Sequence, residues 1–290
     1  MKKVRKAVIP AAGFGTRFLP FTKAVPKEML PIVDTPTIEY IVREVMESGI
    51  EEVLIIINSD KECIKTHFGH NQSFENFLIS KNKTKELEMI QALPKQVKVE
   101  FTYQEEQLGL GHAVLCAEEF VQNEPFALLL GDDLYVGKKE PATKQMIQAY
   151  ERTNSSILGT LEVPLEDVCK YGICSPIKET SNDLVELKSV VEKPNPQNAP
   201  SNLAIGGRYI LTPTIFEFLK TQTRGAGGEI QLTDSILRMM SKEKVYALAI
   251  DGKRYDIGSK KGFLEATIDF SLAREDLSKD IKEILKKQML

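Results

Sequence analysis

Two short segments near the start of the chain carry the residue types of a phosphate site. The first, Ala11-Ala12-Gly13-Phe14-Gly15-Thr16-Arg17, follows an apolar run. Its small residues let backbone N–H groups approach a phosphate closely. The second, Lys23-Ala24-Val25-Pro26-Lys27-Glu28-Met29-Leu30-Pro31, adds cations on a stretch stiffened by proline. Positive charge held this way stabilises a polyphosphate that leaves as pyrophosphate. Either segment alone reads as a solvated surface loop; their succession favours the phosphate reading. Gly13 and Gly15 begin a G-x-G-x-x-G pattern, but Phe18 stands in the third glycine position, so the dinucleotide fingerprint of an NAD-dependent dehydrogenase fails. No G-K-[ST] follows, so a P-loop fails too.

Carboxylates supply the second half of the chemistry. Gly131-Asp132-Asp133 closes another apolar run, and in an open α/β sheet ligands sit beyond the carboxyl ends of the strands. Mg²⁺ takes one or two carboxylates and completes its shell with substrate phosphates. Asp132 is the first expected ligand, with Asp133 a cap or a partner for nearby backbone. Asp256, in Arg254-Tyr255-Asp256-Ile257-Gly258, is the second, an N-cap or turn role being equally open to it. His67, His70 and His112 have no Ser or Cys nucleophile beside them and read as structural. Cys63, Cys116, Cys169 and Cys174 lack metal-type spacing.

The elements that must position these groups follow from apolar periodicity. Lys6–Ala12, Glu52–Ile57, Val97–Tyr103 and Phe126–Leu130 read as strands. Thr37–Gly49 and Gly111–Val121 carry apolar residues at helical spacing, and Asp60 is placed to cap a helix. Phe74–Gln96 is polar and Lys-rich, a partly helical surface insertion. This alternation is the grammar of a doubly wound α/β sheet. Beyond about Tyr150 the pattern turns mixed, with strands at Ser156–Glu162, Asp183–Val191, Ile205–Leu211 and Val245–Ile250, a proline-rich loop over Glu192–Ser201 and a helix over Glu229–Met240. A charged helical tail runs from Gly262. One domain over 1–290 is expected, with a first half (1–150), a mixed second half (151–261) packed on it and a helical tail (262–290).

Composition narrows the class. The chain has 290 residues, 42% of them hydrophobic and 27% charged, with a net charge of −3. Such a balance supplies no basic field for nucleic acid or anionic lipid. No apolar run reaches transmembrane length. Pro10, Gly13 and Arg17 interrupt the N-terminal apolar stretch, which is too short for a signal peptide. A cytoplasmic location is expected, and the low cysteine content suits a reducing compartment.

Taken in order, these motifs resemble those of bacterial UTP–glucose-1-phosphate uridylyltransferases, the UDP-glucose pyrophosphorylases. The likeness runs through nearly the whole length. It rests on the first loop, Pro26–Pro31, Gly109-Leu110-Gly111-His112-Ala113, Val191-Glu192-Lys193-Pro194, Pro200-Ser201-Asn202-Leu203-Ala204, Gly225-Ala226-Gly227-Gly228-Glu229-Ile230-Gln231-Leu232-Thr233-Asp234 and Tyr255-Asp256-Ile257-Gly258. The resemblance implies a Rossmann-like three-layer α/β/α fold with a mixed, mostly parallel central sheet, often assembled as dimers or tetramers; a homodimer is the first expectation. It implies nucleotide binding for the first half, sugar-phosphate binding for the second and oligomerisation for the tail, a solvated terminal helix being equally open to it.

It also implies site roles. Ala11, Ala12, Gly13 and Gly15 are the backbone that meets the nucleotide; Glu28, Gln104 and Gly109 are nucleoside contacts. Gln104 has a donor and an acceptor, which suits the imide edge of uracil. Arg17 and Lys27 match the phosphate-binding cations, and Asp132 and Asp256 the Mg²⁺ carboxylates. Gly172 and Glu192 match contacts to glucose hydroxyls, and Lys193 a contact to the sugar phosphate. In a strand Glu192 and Lys193 would face opposite sides, so a bend near Pro194 is required. The implied reaction joins UTP and glucose 1-phosphate into UDP-glucose and pyrophosphate. The alternatives are the same chemistry with dTTP, CTP, GTP or galactose 1-phosphate, or a non-catalytic sugar-nucleotide-binding regulatory paralogue. Thymidylyl relatives typically carry Lys-Gln-Leu-Leu-Pro where this chain has Lys-Glu-Met-Leu-Pro, and a paralogue would have lost cations or carboxylates that are present here.

Overall fold

The run Lys-Ala-Val-Ile-Pro forms β1 (Lys6–Pro10), which is apolar on both sides: Ala7 and Ile9 point into one core and Val8 into another. That pattern requires a central strand with layers on both faces. The computed structural model describes residues 2–179 and 183–288. In chain order there follow β2 (Pro31–Ile32), β3 (Thr35–Pro36), α1 (Thr37–Glu47), β4 (Glu52–Ile57), α2 (Glu62–Phe68), α3 (Gln72–Ser80), α4 (Thr84–Gln96) and β5 (Lys98–Tyr103). Next come α5 (Leu110–Leu115), α6 (Glu118–Val121), β6 (Phe126–Leu129), β7 (Asp133–Gly137), α7 (Ala142–Thr153) and β8 (Ser156–Glu162). The rest is β9 (Gly172–Glu179), β10 (Leu184–Glu192), β11 (Leu203–Leu211), α8 (Ile215–Leu219), α9 (Leu232–Met239), β12 (Val245–Ala249), β13 (Gly252–Asp256), α10 (Lys260–Ala273) and α11 (Ser278–Gln288).

Among the described residues, nine strands make one sheet in the order β5-β4-β1-β6-β11-β8-β12-β10-β9. The pairs β4–β5, β1–β4, β1–β6 and β8–β12 are parallel; β10 and β11 run against their neighbours. Both halves of the chain therefore share one sheet. Ile38, Ile41 and Val42 of α1 and Met146 of α7 cover the face of Ile9 and Ile55; Val114 of α5, Phe216 of α8 and Ile236 of α9 cover the face of Val8 and Leu54. This is the expected three-layer sandwich with a mixed sheet.

Several expectations shift in detail. The helix expected over Gly111–Val121 is two, broken at Cys116 and Ala117. Asp60 caps no helix; Asn58 caps the 3-10 turn Ser59–Lys61 that leads into α2, its side chain accepting from the Asp60 N–H. A second, two-stranded sheet pairs β7 with β13 and sets Asp133 opposite Asp256. Beneath the large sheet, buried Arg208 on β11 donates to both oxygens of buried Glu44 on α1, at 3.1 and 2.8 Å, and Glu44 also accepts from Thr143 at the start of α7. That network bolts two helices to the sheet below the site.

Candidate active site

Because β1, β4, β5 and β6 are mutually parallel, their carboxyl ends lie on one edge. Two adjoining clefts open there, of about 540 and 470 Å³. The first is lined by Ala12, Gly13, Gly15, Gln104 and Gly109, the second by Gly172, Glu192, Thr233 and Asp256. Arg17, Asp132 and Lys193 line both.

The loop after β1 is anchored from below. Ala11 N–H donates to Ile56 C=O at 2.8 Å, continuing the strand ladder. The Ala11 carbonyl accepts from Lys61 Nζ, and the Ala12 carbonyl from Asn58 Nδ2 at 2.7 Å. In a trans peptide the next N–H points the opposite way, so the N–H groups of Ala12 and Gly13 face away from these anchors. Glu28 does not line either cleft: it is buried with Oε2 on Lys61 Nζ at 2.8 Å. The turn Lys27–Met29 sends Glu28 inward; burial pushes its carboxyl pKa up against the pull of Lys61 and Lys27. Glu28 thus supports the loop through Oε2, while its buried Oε1 has no hydrogen-bond partner among the described residues. Ala11 is likewise buried beneath the first cleft.

Gln104 follows β5, its N–H donating to Ile57 C=O at 2.9 Å. Its side-chain nitrogen lies 3.1 Å from both Gly109 C=O and His112 Nδ1. Gly109 has φ +103°, and a Cβ there would sit 2.7 Å from Glu229 Cβ. Only glycine meets both demands. Two backbone bonds clamp this turn to the segment before α9: Ile230 N–H to Leu108 C=O at 2.7 Å and Gly111 N–H to Ile230 C=O at 2.8 Å.

The cations and carboxylates meet between the clefts. Lys27 Nζ donates to Asp132 Oδ2 at 2.7 Å, and Arg17 Nη1 to Gly258 C=O at 2.9 Å. Burial opposes ionisation of Asp132, but the charge and hydrogen bond of Lys27, with Arg17 nearby, hold its carboxyl below the usual range. Asp256 ends β13; the N-cap of α10 is Ser259, which frees Asp256 from that role. Asp133 is neither cap nor backbone acceptor. It is buried and ion-paired with Arg254, and burial pushes its pKa up to about 7 against the pull of Arg254.

The second cleft holds the expected sugar-side residues. Gly172 pairs with Glu192 across the β9–β10 ladder, and Ile173 also bridges Ala204, pinning this end of the hairpin beside β11. Lys193 has φ +45°, and its N–H donates to Tyr171 C=O at 2.9 Å. This left-handed residue is the required bend, one position before Pro194. It turns Lys193 back until Nζ lies 3.2 Å from Glu192 Oε1. Thr233 Oγ1 donates to Glu192 Oε2 at 2.7 Å. A Cβ on Gly172 would come within 3.0 Å of Thr233 Oγ1 and 3.3 Å of Glu192 Oε2.

Asn58, Lys61, Thr233 and Arg254 were not singled out from the sequence. Only Thr233 and Arg254 had a signal, as members of motifs whose other residues drew the assignments. The histidines are all paired: His67 with Glu39 at 2.8 Å, His70 with Glu75 at 3.0 Å, and His112 with Gln104. A larger cleft of about 650 Å³ lies elsewhere, but there Glu39 already holds Arg43 and His67, and Arg274 holds Asp34.

Comparison with known proteins agrees with this geometry. The Nucleotidyl transferase family model matches residues 6–271. A UTP–glucose-1-phosphate uridylyltransferase of Staphylococcus epidermidis is 50% identical over 287 residues, 99% of each chain. A solved UTP-bound UGPase of Acinetobacter baumannii has a TM-score of 0.89 at 37% identity, covering 97% of this chain and 98% of that one. A UDP-glucose pyrophosphorylase complexed with UDP-glucose has a TM-score of 0.84 at 42% identity, covering 93% of this chain and 100% of that one. The chain thus belongs to the nucleotidyl transferase family, among its UTP–glucose-1-phosphate uridylyltransferases.

Proposed function

We propose that this protein transfers the uridylyl group of UTP to glucose 1-phosphate, giving UDP-glucose and pyrophosphate. The observation that carries the reading is the pair of clefts joined at Arg17, Asp132 and Lys193. One has a glycine-rich loop and an amide, the other an acceptor for hydroxyls beside a cation. The names of similar proteins bound to UTP and to UDP-glucose support the same assignment.

In the proposed step a phosphate oxygen of glucose 1-phosphate attacks the α-phosphorus of UTP in line. The new P–O bond forms as the bond to the β-phosphate bridging oxygen breaks, and pyrophosphate takes that electron pair. The nucleophile is already anionic, so no general base is needed. The protein's task is to align two anions and screen their repulsion. Lys193 holds the incoming phosphate, Glu192 and Gly172 the sugar, and Arg17 and Lys27 the leaving pyrophosphate. Ala12, Gly13, Gly15, Gln104 and Gly109 seat the nucleotide.

Asp132 and Asp256 suit Mg²⁺, because both are oxygen donors on one cleft and Asp132 is held ionised. Among the described residues no cluster of three or more His, Cys, Asp or Glu forms a complete cage, so substrate phosphates would fill the remaining positions. When bound, Mg²⁺ supplies charge neutralisation at the phosphates.

We also propose a cytoplasmic homodimer with no nucleic-acid or membrane partner. Among the described residues no helix is long and apolar enough to cross a membrane. Helix α11 buries none of its residues, and Leu264, Ile268 and Ile284 are exposed, which supports the tail as the assembly element. The halves 1–150 and 151–261 are proposed to serve nucleotide and sugar phosphate within one domain.

Phosphorus NMR of protein with UTP, glucose 1-phosphate and Mg²⁺ tests the reaction. Paired loss of both substrates with growth of UDP-glucose and pyrophosphate is expected. Release of inorganic phosphate and UDP instead would contradict it.

A further inference from the structure

His112 stands three residues after Gly109, within the first turn of α5, and so faces back toward the residue that precedes the helix. Gln104, itself buried, lies against both. A carbonyl oxygen only accepts, so the amide atom 3.1 Å from Gly109 C=O is the nitrogen, and the orientation of the Gln104 side chain is fixed by that contact. The same nitrogen lies 3.1 Å from His112 Nδ1. Nδ1 must then be the unprotonated acceptor, which places the neutral ring's hydrogen on Nε2. Both N–H groups of the amide are thereby committed within the protein. What Gln104 presents to the cleft is Oε1, an acceptor alone, which corrects the donor-and-acceptor pairing expected of it from the sequence.

We infer that His112 is a positioning residue for base choice, holding Gln104 so that its oxygen meets the nucleobase. This inference rests on the proposed seating of the base at Gln104. Uracil carries a hydrogen on ring N3 and donates to that oxygen. Cytosine has a lone pair at N3 and meets it with repulsion. A site that is matched to a donor and leaves an unpaired buried group with the wrong ligand discriminates strongly. Without an acceptor at His112, one amide N–H loses its partner, and the side chain is free to turn that hydrogen toward the base. Cytosine N3 can then accept, and discrimination falls.

The test compares UTP and CTP as co-substrates of glucose 1-phosphate for the wild type and for Q104A, H112A, H112L and H112N. Leucine keeps bulk without an acceptor; asparagine places Oδ1 where Nδ1 stood. The expected result is that H112A and H112L raise the UTP KM about ten-fold and lower the UTP:CTP ratio of kcat/KM about ten-fold, the scale of one hydrogen bond to a buried group. The change falls in KM far more than in kcat, and H112N restores both quantities to within about three-fold of wild type. If H112A fails to fold, the contrast between H112L and H112N still decides. A UTP:CTP ratio unmoved in H112L while Q104A collapses it would overturn the role of His112. A ratio unmoved in Q104A would instead overturn the seating of the base at Gln104.

Discussion

Lys27 Nζ and Asp132 Oδ2 lie 2.7 Å apart, so the basic arm after the glycine loop is tied to the end of β6. The contact has two effects. It keeps Asp132 ionised in a half-buried setting, and it sets the Lys27 ammonium against the carboxylate that lines both clefts.

Lys27→Ala therefore removes one of the two cations proposed to hold the leaving pyrophosphate and leaves Asp132 with Arg17 alone. Turnover is expected to fall about 10²–10³-fold, the range for deleting one preorganised group that stabilises developing charge, with a smaller change in UTP KM. Steady-state kinetics of pyrophosphate release checks this. A loss confined to KM would show that Lys27 only binds.

Thr233→Val keeps the shape of residue 233 but removes the O–H that Glu192 accepts at 2.7 Å. A hydrogen bond to a charged group contributes about 1.5–3 kcal/mol. The KM for glucose 1-phosphate is expected to rise about ten-fold or more, with that for UTP little changed. Equal rises for both substrates would contradict the division of labour between the clefts.

Glu44→Ala leaves the Arg208 guanidinium buried without its partner. Breaking a buried pair in this way costs about 3–5 kcal/mol. Urea unfolding should show a clearly lowered midpoint. A shift worth less than about 1 kcal/mol would mean that water reaches Arg208 and replaces the carboxylate.

Glu124 accepts from Arg5 and pairs with Lys6, and its pKa is lowered from 4.5 to about 2, chiefly by the Arg5 hydrogen bond. A depressed carboxylate stabilises the fold above its unfolded pKa and loses that contribution as pH falls through the folded value. Glu124→Gln should therefore lower the thermal midpoint at pH 7 and lower it less at pH 3. Solvent screening limits the effect to about 1 kcal/mol or less. An equal deficit at both pH values would point to packing instead of charge.

How much of this was legible in the sequence varied with the range of the forces involved. β1, β4 and α1 were readable because their apolar spacing reports burial directly. β7 and β13 were not: Asp133 and Arg254 interrupt any apolar pattern, and each is tolerable only because the other strand supplies the opposite charge. Lys61 carries no signal of its own in the sequence, since nothing local shows that Glu28 and the Ala11 carbonyl enclose it. Glu28 itself belonged to a cation-rich motif, and only the turn at Lys27–Met29 shows that its side chain goes inward. The bend at Lys193 was legible only through the roles that the resemblance gives Glu192 and Lys193, which one straight strand cannot serve together.

The most direct test of the account is initial-rate pyrophosphate release by purified protein with glucose 1-phosphate and Mg²⁺, run in parallel with UTP, dTTP, CTP and GTP, each with and without EDTA. The account predicts release with UTP well above the others, abolished by EDTA and absent without glucose 1-phosphate. Release that prefers another nucleotide, persists in EDTA or needs no sugar phosphate would contradict it.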